Sequence, residues 1–383
     1  MYTRILKTLT GNCFLFGPRG IGKSTWLKKN YPKAHYIDLL PSRISLKYEK
    51  NPSLFEAEIL TLKKNTIIIV DEIQKVPSLT DEIHNLIENH GYKNFILTGS
   101  SARKLKRGSA NMLAGRARLN YMFPLTSEEI KYTHTPDQIL RYGLLPMSMN
   151  ASSDEDRIDF LESYLITYIK EEIKAEALVK NIGAFSRFIE VCALASGSRI
   201  NFSNIARDTG VSRDTVRGYF EVLEDTLLAR WLPAYRPRAK IKEVASPKFY
   251  LFDSGVLNVA ANAFNKPMPQ DWDGILFEHW IFHELSAFIR YNKLKGELCY
   301  WATPSGSEVD FIWASPTKII AIEVKSAKKY NSDFLKGIHS LKENLEPQKS
   351  FVVYQGTEEL LKNDIHILPV FQFLKLLWKS KIF

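Results

Sequence analysis

Residues 14–27, FLFGPRGIGKSTWL, constrain the fold of this chain more than any other stretch. A short apolar run reads as a buried β-strand, breaks into Gly17-Pro18-Arg19-Gly20-Ile21-Gly22, and yields to Lys23-Ser24-Thr25 at the head of a helix. The pattern is G-x-x-x-x-G-K-[ST], in the order strand, loop, helix. Glycines let backbone N–H groups crowd around phosphate oxygens, and the helix N-terminus adds its positive end. The reading is a nucleotide cradle over residues 17–25, with Lys23 reaching the β- and γ-phosphates and the Ser24 hydroxyl taking Mg²⁺. ATP and Mg²⁺ are therefore the expected cofactors.

Other residues that such a cradle needs follow in order. Thr66-Ile67-Ile68-Ile69-Val70-Asp71-Glu72 is a continuous apolar run capped by two acids, as in a central parallel strand buried on both faces. Acids at the carboxyl end of such a strand lie where ligands bind in open α/β sheets. Asp71 is expected to hold Mg²⁺ and Glu72 to polarise the attacking water. The plainer reading is a helix whose first turn favours acids. The next strand, Tyr92 to Ser101, ends in hydroxyls, and Thr98 and Ser100 are candidates for sensing the γ-phosphate or orienting water. After a basic loop at 102–107, Arg116 is an arginine-finger candidate in the same or a neighbouring subunit, or one more solvated base.

With 383 residues the chain is long enough for two or three domains, each with a sizeable core. A net charge of +10 permits nucleic acid or an acidic surface as partner, and equally permits solvated lysines. Cys13, Cys192 and Cys299 are far apart and odd in number, so neither a disulfide framework nor a metal spacing emerges, and a reducing cytosol fits. The N-terminus shows no signal-type h-region, and no run approaches the ~18 apolar residues of a membrane helix. The expectation is a cytoplasmic protein without a membrane partner.

Thr126 and Glu129 form a capping-box pattern near the close of the first domain, and Asn150-Ala151-Ser152-Ser153-Asp154 reads as a polar linker. Beyond it Phe160, Leu161, Tyr164, Leu165, Tyr168 and Ile169 recur at helical spacing. Residues 203–220 give a short helix ending at Gly210, a Val211-Ser212 turn and a second helix from Arg213. Ala206, Gly210, Val216 and Tyr219 match a helix-turn-helix, which puts Arg213, Thr215 and Arg217 toward a DNA groove. Arg236, Arg238, Lys240 and Lys242 fit a basic β-wing. Winged helices also serve as packing modules, so both readings stay open.

The last part carries a second constellation. A helix beginning near Gly274 bears Glu278, and strands at 298–301, 308–313 and 319–325 read as a meander. Alternation puts Glu308, Asp310 and Ile312 on one face, opposite Val309, Phe311 and Trp313, and puts Glu323 with Lys325 on the third strand. Asp310, Glu323 and Lys325 are thus expected to converge with Glu278. The acids would hold a divalent ion and the lysine position water, as metal-assisted phosphodiester hydrolysis needs. Charges on the wet face of an antiparallel sheet are the plainer reading.

GPRGIGKST, IIIVDEIQ, LTGSS and LAGR together resemble the AAA+-related P-loop ATPases of bacteria and archaea that are fused to a C-terminal domain of unknown function. YLFDSGVLN, GILFEHWIFHEL, YWATPSGSEVDFIW and IEVKS extend the resemblance to that second part, a winged helix followed by a PD-(D/E)XK nuclease-like fold. The chain is accordingly read as α/β: an AAA+-like P-loop NTPase parallel sheet over 1–150, a helical linker or lid over 151–197, a winged helix over 198–245 and a PD-(D/E)XK nuclease-like α/β domain over 246–383. The resemblance implies that Lys23 and Ser24 bind nucleotide, and that Asp71 and Glu72 serve Mg²⁺ and hydrolysis. It places Glu278, Asp310, Glu323 and Lys325 on the nuclease-like motif, while Ala302 and Thr303 stand where a basic residue is usual. The activity implied is ATP hydrolysis coupled to DNA binding. DNA cleavage stays open against an ATP-switched protein-interaction module whose nuclease-like part is inactive. The partners so expected are ATP or ADP, DNA, and a second copy or another protein.

Overall fold

The computed structural model describes residues 2–100, 112–175, 181–236 and 246–383, with backbone alone at 112, 114 and 168–175. Ser101, the basic loop at 102–107, and Arg238, Lys240 and Lys242 of the expected wing lie outside the described residues. The chain divides into two compact units, one built on Thr3–Pro124 with Asp225–Leu227, the other on Leu125–Glu224 with Leu228–Phe383.

The first unit runs β1 (Cys13–Phe16), α1 (Lys23–Asn30), β2 (His35–Asp38), α2 (Ser42–Lys50), α3 (Ser53–Leu60), β3 (Ile68–Asp71), α4 (Leu79–Glu88), β4 (Phe95–Gly99) and β5 (Arg118–Tyr121). The strands pair in parallel in the order β2-β3-β4-β1-β5. Hydropathy accounts for that order. β1, β3 and β4 are buried at every residue, whereas β2 and β5 are partly exposed, so unbroken apolar runs take the centre and mixed ones the edges. Phe14, Val70, Phe95 and Leu97 of the sheet share one core with Phe55, Ile59, Ile83 and Leu86 of α3 and α4. Because all strands run one way, the loop at 17–22, Asp71-Glu72 and Gly99-Ser100 arrive together at the carboxyl edge. This is an α/β unit with a five-stranded parallel sheet of the P-loop NTPase kind.

The second unit begins with α5 (Pro136–Tyr142), α6 (Pro146–Asn150), α7 (Asp154–Ala175) and α8 (Ile182–Leu194). α9 (Phe202–Thr209) and α10 (Arg213–Asp225) follow, then an antiparallel pair, β6 (Ala229–Leu232) and β7 (Lys248–Leu251). After α11 (Ser254–Ala260) and α12 (Trp272–Tyr291) come β8 (Glu297–Ala302), β9 (Glu308–Ala314), β10 (Ile319–Lys325), α13 (Lys336–Lys342), β11 (Lys349–Tyr354), β12 (Leu360–Lys362), β13 (Ile365–Pro369) and α14 (Val370–Trp378). These strands form a mixed sheet in the order β12-β13-β11-β10-β9-β8. The division between units falls after Pro124, whereas the sequence pointed to a linker near 150, because α5 and α6 pack on α11 and α7. Thr126 and Glu129 do exchange hydrogen bonds, at 3.1 and 3.3 Å, around a turn rather than at a helix start.

The stretch YLFDSGVLN explains part of that packing. Asp253 caps α11 by accepting from the Gly255 and Val256 N–H groups at 2.9 and 3.1 Å, and it also accepts from Leu144 N–H at 2.6 Å. Asn258 donates to the carbonyls of Leu140 and Arg141, and its Oδ1 accepts from Trp272 Nε1 at 2.9 Å. The polar letters of the stretch thus fasten α11 to α5 and to α12.

Candidate functional site

At the carboxyl edge of the first sheet, Gly22 holds φ 92° just before α1. A Cβ on Gly17 would meet Ile21 Cδ1 at 2.4 Å and Met122 O at 2.5 Å, so neither position suits a side chain. Lys23 is buried, and its ammonium donates to the carbonyls of Gly17 and Pro18 at 2.7 and 2.9 Å. Ser24 is half-buried and Thr25 exposed; Arg19 is half-buried, Gly20 exposed and Ile21 buried. The turn therefore carries its cation folded onto its own backbone, beside the N–H groups of a helix start.

The acids are held by a continuous network. Asp71 is buried; Oδ1 accepts from the Thr98 hydroxyl and Oδ2 from the Tyr36 hydroxyl, which also hydrogen-bonds Ser24. Thr98 Oγ1 in turn accepts the Glu72 N–H at 3.1 Å. Glu72 sits at φ 61°, a left-handed conformation that a non-glycine residue keeps only where its surroundings enforce it. Its carboxylate accepts from Gln74 Nε2, which also donates to Ser100 Oγ at 3.0 Å. Burial raises the Glu72 carboxyl above its usual range, with Lys23 pulling it back and Asp71 adding to the rise. A carboxylate so raised is a better proton acceptor than a solvated one.

Ser24 and Asp71 are hard oxygen donors joined through one phenol, which is the donor chemistry Mg²⁺ takes beside phosphate oxygens. Thr98 and Ser100 are brought to the acids. Arg116 is not. It stands just before β5 and pairs with Glu88 at the end of α4, on the amino edge of a parallel sheet. The length of β1, about 13 Å of strand, separates that edge from the glycine loop. Arg116 thus stands away from this chain's own glycine loop. Tyr36 and Gln74 escaped the sequence reading, although Gln74 closes the IIIVDEIQ stretch and Tyr36 lies two residues before the end of β2.

In the second unit the ladder between β9 and β10 stops at Phe311 and Ile322. Beyond it Asp310 Oδ2 accepts the Val324 N–H at 2.8 Å, replacing a backbone partner. Against β8, Cys299 pairs with Ile312 and Trp301 with Val309, so Asp310 and Phe311 together oppose Tyr300. This bulge resets the alternation that the sequence suggested: Val309 and Ile312, three residues apart, share one core. Ile312 therefore does not lie with Asp310.

The bulge turns Asp310 toward Lys248, which is only 3% exposed. The Lys248 ammonium stands 2.9 Å from Glu278 Oε1, 2.6 Å from Glu308 Oε1 and 3.9 Å from Asp310 Oδ1. Tyr250 donates to the same Glu278 oxygen, and Lys325 pairs with Glu323 Oε1 at 2.6 Å. Glu278, Asp310, Glu323 and Lys325 are thus brought together, and Lys248, Tyr250 and Glu308 join them. Burial and repulsion from Glu323 and Glu278 hold the Asp310 carboxyl well above its usual range, and burial raises Glu323 against the pull of Lys325. Burial disfavours the Lys248 charge, but Glu278 and the neighbouring anions outweigh it. Lys248, Lys325 and Arg199, the last 3.6 Å from Glu308, thus stand against four carboxyls.

This donor set does not suit the divalent ion expected of Asp310 and Glu323. Such an ion needs several oxygens turned to one point at about 2.0–2.6 Å. Instead Glu278, Glu308 and Glu323 each present Oε1 to an ammonium, while Asp310 Oδ2 serves Val324. Among the described residues Glu323 Oε2 has no hydrogen-bond partner, and it faces Gly337. Among the described residues no group of three or more His, Cys, Asp or Glu is arranged to hold an ion.

The helix pair at 202–225 meets across Gly210 at φ 70°. Ser212 Oγ accepts the Thr215 N–H at 3.1 Å and bonds its hydroxyl at 2.9 Å, so Thr215 is taken up by the start of α10. Arg213 is exposed. Arg217 lies over the Phe202 ring at 5.6 Å and 3.8 Å from Asp214, with half its side chain in solvent. No helix among the described residues is long and apolar enough to cross a membrane.

Three family models match in succession: a family described as AAA domain over residues 10–131, a domain of unknown function (DUF8612) over 133–267, and a second (DUF4143) over 273–373. An uncharacterized protein of Mycobacterium tuberculosis is 24% identical over 317 residues, 80% of this chain and 69% of that protein. One from Methanocaldococcus jannaschii is 22% identical over 276 residues, 66% of this chain and 59% of that protein. Among solved structures, the replication initiator DnaA bound to AMPPCP and single-stranded DNA is similar at a TM-score of 0.30, with 15% identity, over 57% of this chain and 83% of that one. The first unit is accordingly a nucleotide-binding unit of the ATPase type, resting on the AAA match and on the parallel sheet with its glycine loop.

Proposed function

We propose that the chain is a Mg²⁺-dependent ATPase whose nucleotide state governs DNA binding by its second unit. The observation that carries the ATPase is the meeting of Lys23, Ser24, Asp71 and Glu72 at the carboxyl edge of one parallel sheet. Lys23 exchanges the Gly17 and Pro18 carbonyls for phosphate oxygens, a charge-assisted contact in place of a neutral one. Ser24 and Asp71 would hold Mg²⁺, which neutralises charge on the β- and γ-oxygens when bound. Glu72, raised by burial and fixed through Thr98 and Gln74, accepts a proton from the attacking water.

Calorimetry with Mg²⁺–ATP tests this. Lys23→Ala is expected to weaken binding by about tenfold or more, the worth of a charge-assisted contact. Glu72→Gln is expected to bind normally and turn over about 10²–10⁴-fold more slowly. Equal affinity in Lys23→Ala, or wild-type turnover in Glu72→Gln, rejects the respective role.

The exposed Arg213 and Arg217 on α10 support DNA as the second unit's ligand. A second reading, an ATP-switched interaction module that cuts nothing, is favoured at one point: buried lysines pair with the acid cluster.

A further inference from the structure

Lys248 comes from outside the helix and strands that carry the acids, and no nearby sequence pattern calls for it. We propose that Lys248 is an internal counter-cation, filling the position between Glu278 and Asp310 that a divalent ion would take. The cluster then binds no divalent ion and cuts no phosphodiester while β7 is in place. This rests on the nuclease-like reading of the cluster and names what closes it.

The geometry is that of a cation site whose cation belongs to the chain. Three carboxylates surround a buried ammonium at 2.6, 2.9 and 3.9 Å. An ion between Glu278 and Asp310 would meet that ammonium head-on, like charge against like charge in a poorly solvated space. The side chain is not a loose tail that happens to reach the acids. Its backbone pairs with Leu232 of β6 and bridges Arg199, while Tyr250, two residues along on the same face of β7, donates to the same Glu278 oxygen. The chain on either side of the β6–β7 connection is tied to β8 as well. The Tyr300 hydroxyl donates to Ser246 O, and Tyr235 N–H donates to Tyr300 O at 2.6 Å. Lys248 is therefore carried by a β6–β7 pair whose flanking segments are fastened to β8, which makes the lysine a bolt rather than a passing ligand.

Mn²⁺ titration of the full, nucleotide-free chain by electron paramagnetic resonance tests the proposal. Wild type is expected to show no Mn²⁺ site that Asp310→Asn removes. Lys248→Met is expected to gain one site per chain, about tenfold or more tighter than any in wild type, and to lose it again with Asp310→Asn. A wild-type site lost in Asp310→Asn overturns the counter-cation, and that arm needs no change at Lys248 should Lys248→Met fail to fold. Mg²⁺-dependent DNA cleavage by wild type that Asp310→Asn abolishes would overturn it too, while upholding the nuclease-like reading. A folded Lys248→Met protein that binds no Mn²⁺ overturns both, and leaves the ATP site untouched.

Discussion

Tyr36 shows how much one side chain can decide. Its hydroxyl bridges Ser24 and Asp71, the two groups proposed to meet Mg²⁺, so an ion entering between them competes with the phenol for Asp71 Oδ2. Arrival of a Mg²⁺–nucleotide should displace it. Tyr36→Phe is then expected to tighten Mg²⁺–ADP binding about fivefold, the worth of one competing hydrogen bond, and to leave Mg²⁺-free ADP binding unchanged. Weaker Mg²⁺–ADP binding by calorimetry would mean that the phenol assists the ion instead. Thr98 acts in the opposite sense, since one hydroxyl donates to Asp71 and accepts from the Glu72 N–H. Thr98→Val leaves both without that partner, so thermal unfolding should show a loss of about 1–3 kcal/mol and turnover should fall. Lys23, Asp71 and Glu72 were legible because backbone geometry ties them to glycines and to the end of an apolar strand. Tyr36 was not, because its role arises from the pairing of β2 with β3, which leaves no local mark.

At the scale of elements, α12 holds a buried histidine whose titration should be measurable. His279 packs against Tyr250 at 5.9 Å and is pushed down to about 3, by burial first and then by His283 one turn on. The unfolded chain protonates it near the ordinary value of about 6.5. A depressed folded value gives stability that is present above the unfolded value and is lost as pH falls toward 3. The slope is at most about 1.4 kcal/mol per pH unit, from a single proton. Asp253 has the opposite sign: burial raises it to about 6, so its term grows as pH falls through 6 toward its unfolded value. His279→Phe should flatten the loss of stability between about pH 6.5 and 4.5. Urea unfolding profiles that run parallel in wild type and variant would show that His279 does not titrate with folding. The helix itself was readable from its apolar spacing, as were β1, β3 and β4, whose burial on both faces leaves unbroken apolar runs. The bulge in β9 was not, since no glycine marks it and only the partner strand reveals the extra residue. Lys248 was hidden for a like reason, its partners lying 30 to 62 residues away in the chain.

At the scale of the whole molecule, the net charge of +10 leaves DNA binding open, and the proposed coupling makes it measurable in two directions. Arg213 is free to meet a phosphate, whereas Arg217 must first leave Phe202 and Asp214. Affinity should fall steeply with salt, and each arginine contact removed should lower the log–log slope by about one. Arg213→Ala should show the fuller change, and an unaltered slope in the double variant would move the DNA contact off α10. Coupling to nucleotide is a separate claim. If a Mg²⁺-bound, non-hydrolysable ATP analogue changes DNA affinity by some factor relative to ADP, DNA must change the ratio of the two nucleotide affinities by the same factor, because the four states close a thermodynamic cycle. A factor of about 5–150 is the usual range for such coupling. Fluorescence anisotropy with labelled DNA gives one side of the cycle, and calorimetry with each nucleotide, with and without DNA, gives the other. Lys23→Ala supplies the control, since a protein that cannot hold the phosphates should bind DNA alike whichever nucleotide is added. A DNA affinity identical with analogue and with ADP in wild type would mean that the two units act independently, with ATP hydrolysis serving something other than DNA.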